Sequence, residues 1–188
     1  MPIINMVYKK KKWKYTYDFI NKTTTQLTND GWINASWLTT GSNWVTSTNW
    51  VALWNEVNWL WTAMSNAKKV TMSFTTYSNN SWTGVAGFLI VQDANNTWET
   101  GLYTEPRQYE FKIIWNRLTK PSSSQWTGDR VATYTFDFEN KQATYSYAWS
   151  SNTYTLTDAQ ISWAKQCKRI YCPLSTAIYL KNLSITIE

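Results

Sequence analysis

Three short segments of this chain set one tryptophan behind a run of small polar residues: Ser78-Asn79-Asn80-Ser81-Trp82-Thr83, Asn95-Asn96-Thr97-Trp98 and Ser122-Ser123-Ser124-Gln125-Trp126-Thr127. A fourth, Ser150-Ser151-Asn152-Thr153-Tyr154, ends on tyrosine. All four read as loops, and the combination suits sugars. An aromatic face covers the apolar face of a pyranose, while amides such as Asn80 and Asn96 and the nearby hydroxyls bond the ring hydroxyls. Trp82, Trp98, Trp126, Tyr154, Asn80 and Asn96 are therefore the candidate ligand-binding residues. The competing reading is packing. With 14 Trp in 188 residues, some rings must lie at the periphery and cap the fold.

A different chemistry lies near the start of the chain, where Tyr8-Lys9-Lys10-Lys11-Lys12-Trp13-Lys14-Tyr15 interleaves cations with rings. Lys9, Lys10, Lys11, Lys12, Trp13 and Lys14 could dock onto an acidic surface of a larger assembly. They could also meet phosphates while the rings stack on bases, or stay solvated. The charge distribution favours docking. Of 18 basic residues, five are Lys9 to Lys12 and Lys14, which leaves 13 against 12 acidic residues elsewhere. The remainder is thus nearly neutral, whereas a nucleic-acid-binding surface spreads its basic residues through the fold.

Other chemistries are excluded by what is missing. The chain has no histidine, which removes the commonest general base and every Ser-His or Cys-His arrangement. Its two cysteines, Cys167 and Cys172, are too few for a zinc site, so no metal centre is expected. They form either a small disulfide loop or two buried thiols, the second being favoured. Met1-Pro2-Ile3-Ile4-Asn5 reaches the lysines too soon for a secretory signal, and no apolar stretch is long enough to span a membrane.

The residues that must position these groups are strand formers. Trp, Tyr, Thr and Val are frequent, while Gly and Pro number only 6 and 4. Residues 13–19 alternate as a first strand, and Asp30-Gly31-Trp32 signals a turn. Val70, Met72 and Phe74 alternate with Thr71, Ser73 and Thr75. Residues 85–91 read as a central strand and 108–115 as another. Residues 131–138 and 142–149 form a hairpin across Glu139-Asn140-Lys141, with Ala143, Tyr145, Tyr147 and Trp149 on one face. Tyr179, Leu183, Ile185 and Ile187 share a face of the last strand. The period changes only over 47–66, where Trp50, Trp54, Val57, Trp61 and Met64 fall at helical spacing behind Ser47, Thr48 and Asn49 as caps. A second short helix is expected at Thr157, with Gln160 completing a capping box.

Tyr17-Asp18-Phe19, Asp30-Gly31-Trp32 and Gly41-Ser42-Asn43-Trp44 resemble the opening of laminin-G-like and concanavalin A-like domains. Strand 85–91 with Asp93 after it, Thr133–Phe138 with its hairpin partner, and the closing strand 179–187 follow in the order of that family. The resemblance implies an all-β antiparallel jelly-roll β-sandwich over residues 13–188, with one or two short helices, preceded by a docking arm at 1–12. It also implies that the first and last strands lie side by side. Glucanases of this family carry Glu-x-Asp-x-Glu on one strand, so that period two aims three carboxylates at the substrate. Here the nearest match is Thr135-Phe136-Asp137-Phe138-Glu139, with threonine where the nucleophile belongs. No catalytic residue and no cofactor are expected, and the family's occasional calcium use points only weakly to Asp93 and Asp129.

Family, missing signal and basic arm together suggest a non-catalytic structural or decoration protein of a bacteriophage virion, in the head or a tail fibre. It would be assembled in the host cytoplasm, with other virion proteins as partners, and would present an adhesin-like surface to glycan. Homo-oligomers are expected, trimers being common in phage fibres and spikes. The alternatives are a cellular carbohydrate-binding module or adhesin, and a degenerate glycoside hydrolase.

Overall fold

A computed structural model describes residues 12–49, 51–78, 88–91, 101–106, 110–113, 116–119, 128–147, 150–174 and 179–188. Among these residues, fourteen strands form two antiparallel sheets. The larger sheet uses β1 (Trp13–Asp18), β2 (Thr39–Thr40), β3 (Val45–Thr46), β5 (Lys69–Ser78), β10 (Gly128–Asp137), β11 (Gln142–Tyr147), β12 (Ser150–Thr155) and β14 (Tyr179–Ile187). Its order is β12-β11-β10-β5-β14-β3-β2, with β1 also against β14. The smaller sheet runs β4 (Val51–Glu56), β13 (Arg169–Leu174), β6 (Phe88–Val91), β7 (Gly101–Pro106), β8 (Glu110–Ile113) and β9 (Asn116–Thr119). This is the expected all-β sandwich, and its first and last strands do pair, from Trp13 opposite Ile187 to Asp18 opposite Asn182.

Period-two alternation places the core. On β5, Val70, Met72 and Phe74 are buried, and on β10, Ala132, Tyr134 and Phe136 meet them. Ala143 and Tyr145 of β11 share that inner face, while Tyr147 and Trp149 have no described side-chain environment. The hairpin closes as expected. Asp137 Oδ1 accepts from the Asn140 N–H at 2.9 Å, and Lys141 adopts φ 53°. β8 lies within the strand expected over 108–115, and it pairs with β9, which follows that range, Ile113 opposite Asn116.

Three expectations need correction. Residues 47–66 are not one helix, because Val51, Leu53 and Asn55 are buried with half-exposed Ala52 and Trp54 between them, the period of a strand. Trp54 therefore lies on the outer face of β4, with the Arg169 guanidinium 4.0 Å from its ring. Only α2 (Leu60–Ser65) is helical, and Trp59 at its start gives no side-chain cap. Second, a bulge between Leu180 and Asn182 shifts the face of β14. Leu180 joins Leu183, Ile185 and Ile187 in the core, and Tyr179 turns out. Third, the α-helices number three among the described residues, since α1 (Thr24–Asn29) was not anticipated. Its signal was the capping box Thr23-x-x-Gln26, the same device that starts α3 (Asp158–Ala164) at Thr157 and Gln160.

Cys167 and Cys172 are not bridged to each other and both are fully buried, so the disulfide alternative falls. Burial pushes the Cys172 thiol well above its ordinary value. The turn after α1 is tied to β1 by Asp30, which accepts from the Tyr17 hydroxyl at 2.6 Å and from the Lys22 ammonium at 2.9 Å. Those two bonds hold its carboxyl below the usual carboxylate range. Burial, and then the same bond to Asp30, push the Tyr17 hydroxyl up.

Candidate functional site

The outer face of the large sheet carries two rows of hydroxyls, flanked by rows that include Gln142, Asp137 and Lys69 on one side and Val131, Asn182 and Asp18 on the other. Register places Thr153, Thr144, Thr135, Thr71 and Thr186 side by side across β12, β11, β10, β5 and β14, with Lys14 of β1 next in line. The adjacent row is Ser151, Ser146, Thr133, Ser73, Ser184 and Thr16. Neighbouring strands stand about 4.8 Å apart, so each row is a ladder of hydroxyls at nearly constant spacing. Thr133 donates to Ser73 at 3.2 Å, and the Thr144 and Thr153 hydroxyls lie 3.2 Å apart. The remaining lone pairs and protons face outward. The sandwich needs polar outer positions, but asparagine or lysine would serve that need as well. A uniform Ser/Thr surface is short, neutral and able to donate and accept at every position.

Toward the far end of β5 the surface becomes aromatic. Tyr77 of β5 pairs with Tyr179 of β14, their ring centroids 5.9 Å apart, and Trp44 meets Tyr179 edge-on at 4.8 Å. All three rings are half-buried, and Gly41 fixes the outermost of them. A Cβ at Gly41 would come within 2.9 Å of the Trp44 indole, and the Gly41 N–H donates to the Trp44 carbonyl at 2.8 Å. Lys181 stands beside this ledge, 6.0 Å from the Tyr77 ring centroid and ion-paired to Asp129 at 2.7 Å. None of the three rings was a candidate from sequence. Tyr179 was hidden by the β14 bulge. Trp44 carried a signal only in Gly41-Ser42-Asn43-Trp44, a glycine three residues before a ring it must accommodate.

Trp82, Asn80, Trp98, Asn96, Trp126 and Asp93 lie outside the described residues, but the strands that launch their segments do not. Ser78 and Gly128 are register partners, so segments 79–87 and 120–127 both leave from the aromatic end. Segment 92–100 joins Val91 to Gly101, beside Arg169 and Glu56. That is the opposite end. Lys165, four residues before Arg169, shares a cleft with Lys68, the residue before β5 begins. Ten residues of β5 separate the two ends, roughly 33 Å. The described residues nearest Trp82 and Trp126 in sequence, Ser78 and Gly128, thus lie at the ledge end, and Gly101, nearest Trp98, lies at the other. Tyr154 is not on a loop. It belongs to β12, half-buried and packed on the core, because it stands opposite buried Ala143.

At the end away from the ledge lies the root of the basic segment. Lys12 is ion-paired to Glu188 at 2.9 Å, Trp13 stacks on Trp59 with centroids 5.2 Å apart, and Lys14 is exposed on β1. Lys9, Lys10 and Lys11 lie outside the described residues. Trp13 lines an open cleft of about 350 Å³ with Thr62, Asn66, Lys68 and Glu188.

The carboxylates of the glucanase-like stretch are committed elsewhere. Asp137 ends β10 and accepts from both the backbone and the side chain of Asn140, which hold its carboxyl below the usual range. Glu139 is already in the turn, paired with Lys68, so the two do not share the strand face that period two would give them. Asp129 is paired with Lys181, and among the described residues no cluster of three or more acidic or cysteine side chains could hold a metal ion.

Neither the family models nor the curated proteins compared with this chain match it. Solved structures do, over nearly the whole length. An endo-1,3-β-glucanase from Streptomyces sioyaensis superposes with a TM-score of 0.58 at 8% identity, covering 96% of this chain and 98% of its own. Peanut lectin, in complex with a 9-mer peptide, gives 0.54 at 13%, with 95% and 98% covered. The CBM2 module of the evolved Dit of Lactobacillus casei BL23 phage J-1 gives 0.51 at 13%, with 96% and 98% covered. Together with the strand order of the two sheets, these likenesses establish the chain's fold as the concanavalin A-like sandwich of lectins and glucanases.

Proposed function

We propose that this chain is a non-catalytic phage virion protein that binds surface glycan at the aromatic end of its larger sheet and is anchored through residues 1–12. The observation that carries the reading is the convergence at that end. Two rows of hydroxyls share a face with the Tyr77–Tyr179–Trp44 ledge, and Ser78 and Gly128, which adjoin the segments bearing Trp82 and Trp126, pair at that end. Sugars need that pairing of ring faces with short donors and acceptors. The lectin and the phage module among the structural likenesses agree with it at the level of fold.

Hydrolysis is disfavoured by chemistry rather than by fold. Thr135 stands at the nucleophile position, and Asp137 and Glu139 are bound into the hairpin turn. The test is a glycan array and a whole-cell binding assay of the purified protein, with sugar release measured on every bound glycan. Binding without release, unchanged in Glu139→Gln, is the expected result. Release that Glu139→Gln abolishes would make the protein a glycosidase. The anchor is tested separately: deleting residues 1–12 is expected to abolish incorporation into particles while glycan binding persists. Normal incorporation of the shortened chain would remove the anchoring role.

A further inference from the structure

The two sheets present four edges, and three of them are closed to further pairing. On the small sheet, β4 is covered: Ile33 exchanges main-chain bonds with Trp54 at 2.8 and 3.4 Å, and the Asn34 amide donates to the Ala52 carbonyl at 2.9 Å. At its other edge β9 has four residues, one of them Arg117. On the large sheet, β1 carries Lys14 and Asp18, both exposed, and β2, which ends the sheet beyond β3, is only two residues long. Short strands, charge and covering segments are the usual means of blocking edge-to-edge association. Among the described residues the fourth edge, β12, has none of them. It is six residues long, Ser-Ser-Asn-Thr-Tyr-Thr, without charge, proline or glycine.

The orientation of β12 fixes how a partner strand can join it. The Leu156 N–H donates inward to the Lys141 carbonyl, so even-numbered N–H groups face β11 and odd-numbered ones face out. Among the described residues no main chain meets the outer edge. The Thr153 N–H is met only by the side chain of Asn152, at 2.9 Å. Ser151, Thr153 and Thr155 are exposed on the hydroxyl face, while Asn152 and Tyr154 turn inward.

We propose that β12 is a homodimer interface at which two copies pair their β12 strands antiparallel about a two-fold axis through Thr153. A second copy is the occupant that fits on two counts. The strand is neutral, so it opposes itself without like-charge repulsion. It is also self-complementary: Thr153 meets Thr153 of the other copy, Ser151 meets Thr155, and Asn152 meets Tyr154. Each of these pairs lies on the same side of the sheet, as direct cross-strand partners must. The outward groups of 151, 153 and 155 supply about six main-chain hydrogen bonds. The two hydroxyl faces then continue as one surface. This assignment stands independently of what that surface binds.

Sedimentation velocity of the full chain tests it, together with disulfide capture. The wild type is expected to run as a dimer, and Thr153→Pro as a monomer with an unchanged far-UV spectrum. Proline at 153 removes only an outward N–H, which an edge strand tolerates. Thr153→Lys provides a second route, since it sets two ammonium groups face to face on the axis. Under oxidation Thr153→Cys is expected to crosslink as a dimer and Ser151→Cys not, because Ser151 faces Thr155 across the interface. A monomeric wild type overturns the proposal. So does a dimer or trimer that survives Thr153→Lys, or equal crosslinking of the two cysteine variants. Binding of some other extended segment along a monomer's β12 also overturns it.

Discussion

Alanine at Trp82 and Trp126 together removes glycan binding and leaves the melting temperature in place. Ser78 and Gly128, the described residues nearest them in sequence, are register partners at the end of β5 that carries the half-buried Tyr77 ring. An aromatic anchor in a recognition site is typically worth about 2 kcal/mol or more, about thirtyfold in affinity for each residue. Two of them lost together exceed what the hydroxyl rows can supply alone. Trp98→Ala serves as the internal control. Its segment starts roughly 33 Å away at the other end of β5, so affinity should change by less than about twofold. Titration of the array-positive glycan by calorimetry reads both. Equal losses from Trp98→Ala and Trp82→Ala would displace the site from the ledge. A fall in melting temperature with the double variant would mean that the rings cap the fold instead.

The largest effect on stability belongs to Trp32. It is fully buried between the end of β1 and the turn after α1, with Phe19 at 5.1 Å and Tyr17 edge-on at 5.2 Å. Its main-chain N–H donates to the Leu27 carbonyl at 3.0 Å, so the residue is held by backbone as well as by packing. Trp32→Ala leaves a cavity that the rigid sheets cannot close, at a cost of about 3–5 kcal/mol. For a chain of this size that lowers the melting temperature by on the order of 10 °C. Trp32→Phe fills part of the volume and should fall between. Thermal unfolding followed by near-ultraviolet circular dichroism measures both. A loss below about 1 kcal/mol for the alanine variant would mean that the site collapses onto the gap, and that Trp32 does not hold β1 and α1 together.

Alternation makes most of the large sheet legible from sequence. Val70, Met72 and Phe74 against Thr71, Ser73 and Thr75 is a pattern only a half-buried strand explains. The same pattern held the hydroxyl face, but strand order was needed to turn scattered Ser and Thr into rows. Residues 47–66 misled because Trp54, Val57, Trp61 and Met64 straddle a strand and a helix. A chance helical spacing across the junction outweighed the shorter alternation of 51–55. Tyr179 was misplaced by one bulge, which period counting cannot see because the pattern is shifted rather than broken. The ledge was therefore invisible: its three rings come from a loop, β5 and β14, and meet only through register. The Trp-bearing segments were recognisable by composition, yet the sheet end at which their flanking strands meet them follows from pairing alone.

The pairing of β1 with β14 also bears on how the protein is made. Lys12 and Glu188, which meet in the finished fold, are 176 positions apart in sequence. Synthesis at about 5–20 residues per second leaves β1 on the order of 10 s without the strand it will lie against. Contacts of such long range form late and slow the search for the native state. The lysine-rich segment enters that fold at Lys12, so its base is fixed only when the last strand arrives. An immature chain therefore offers those lysines without a rigid body behind them, and a partner that reads both cannot accept the protein until Tyr179–Ile187 has been made.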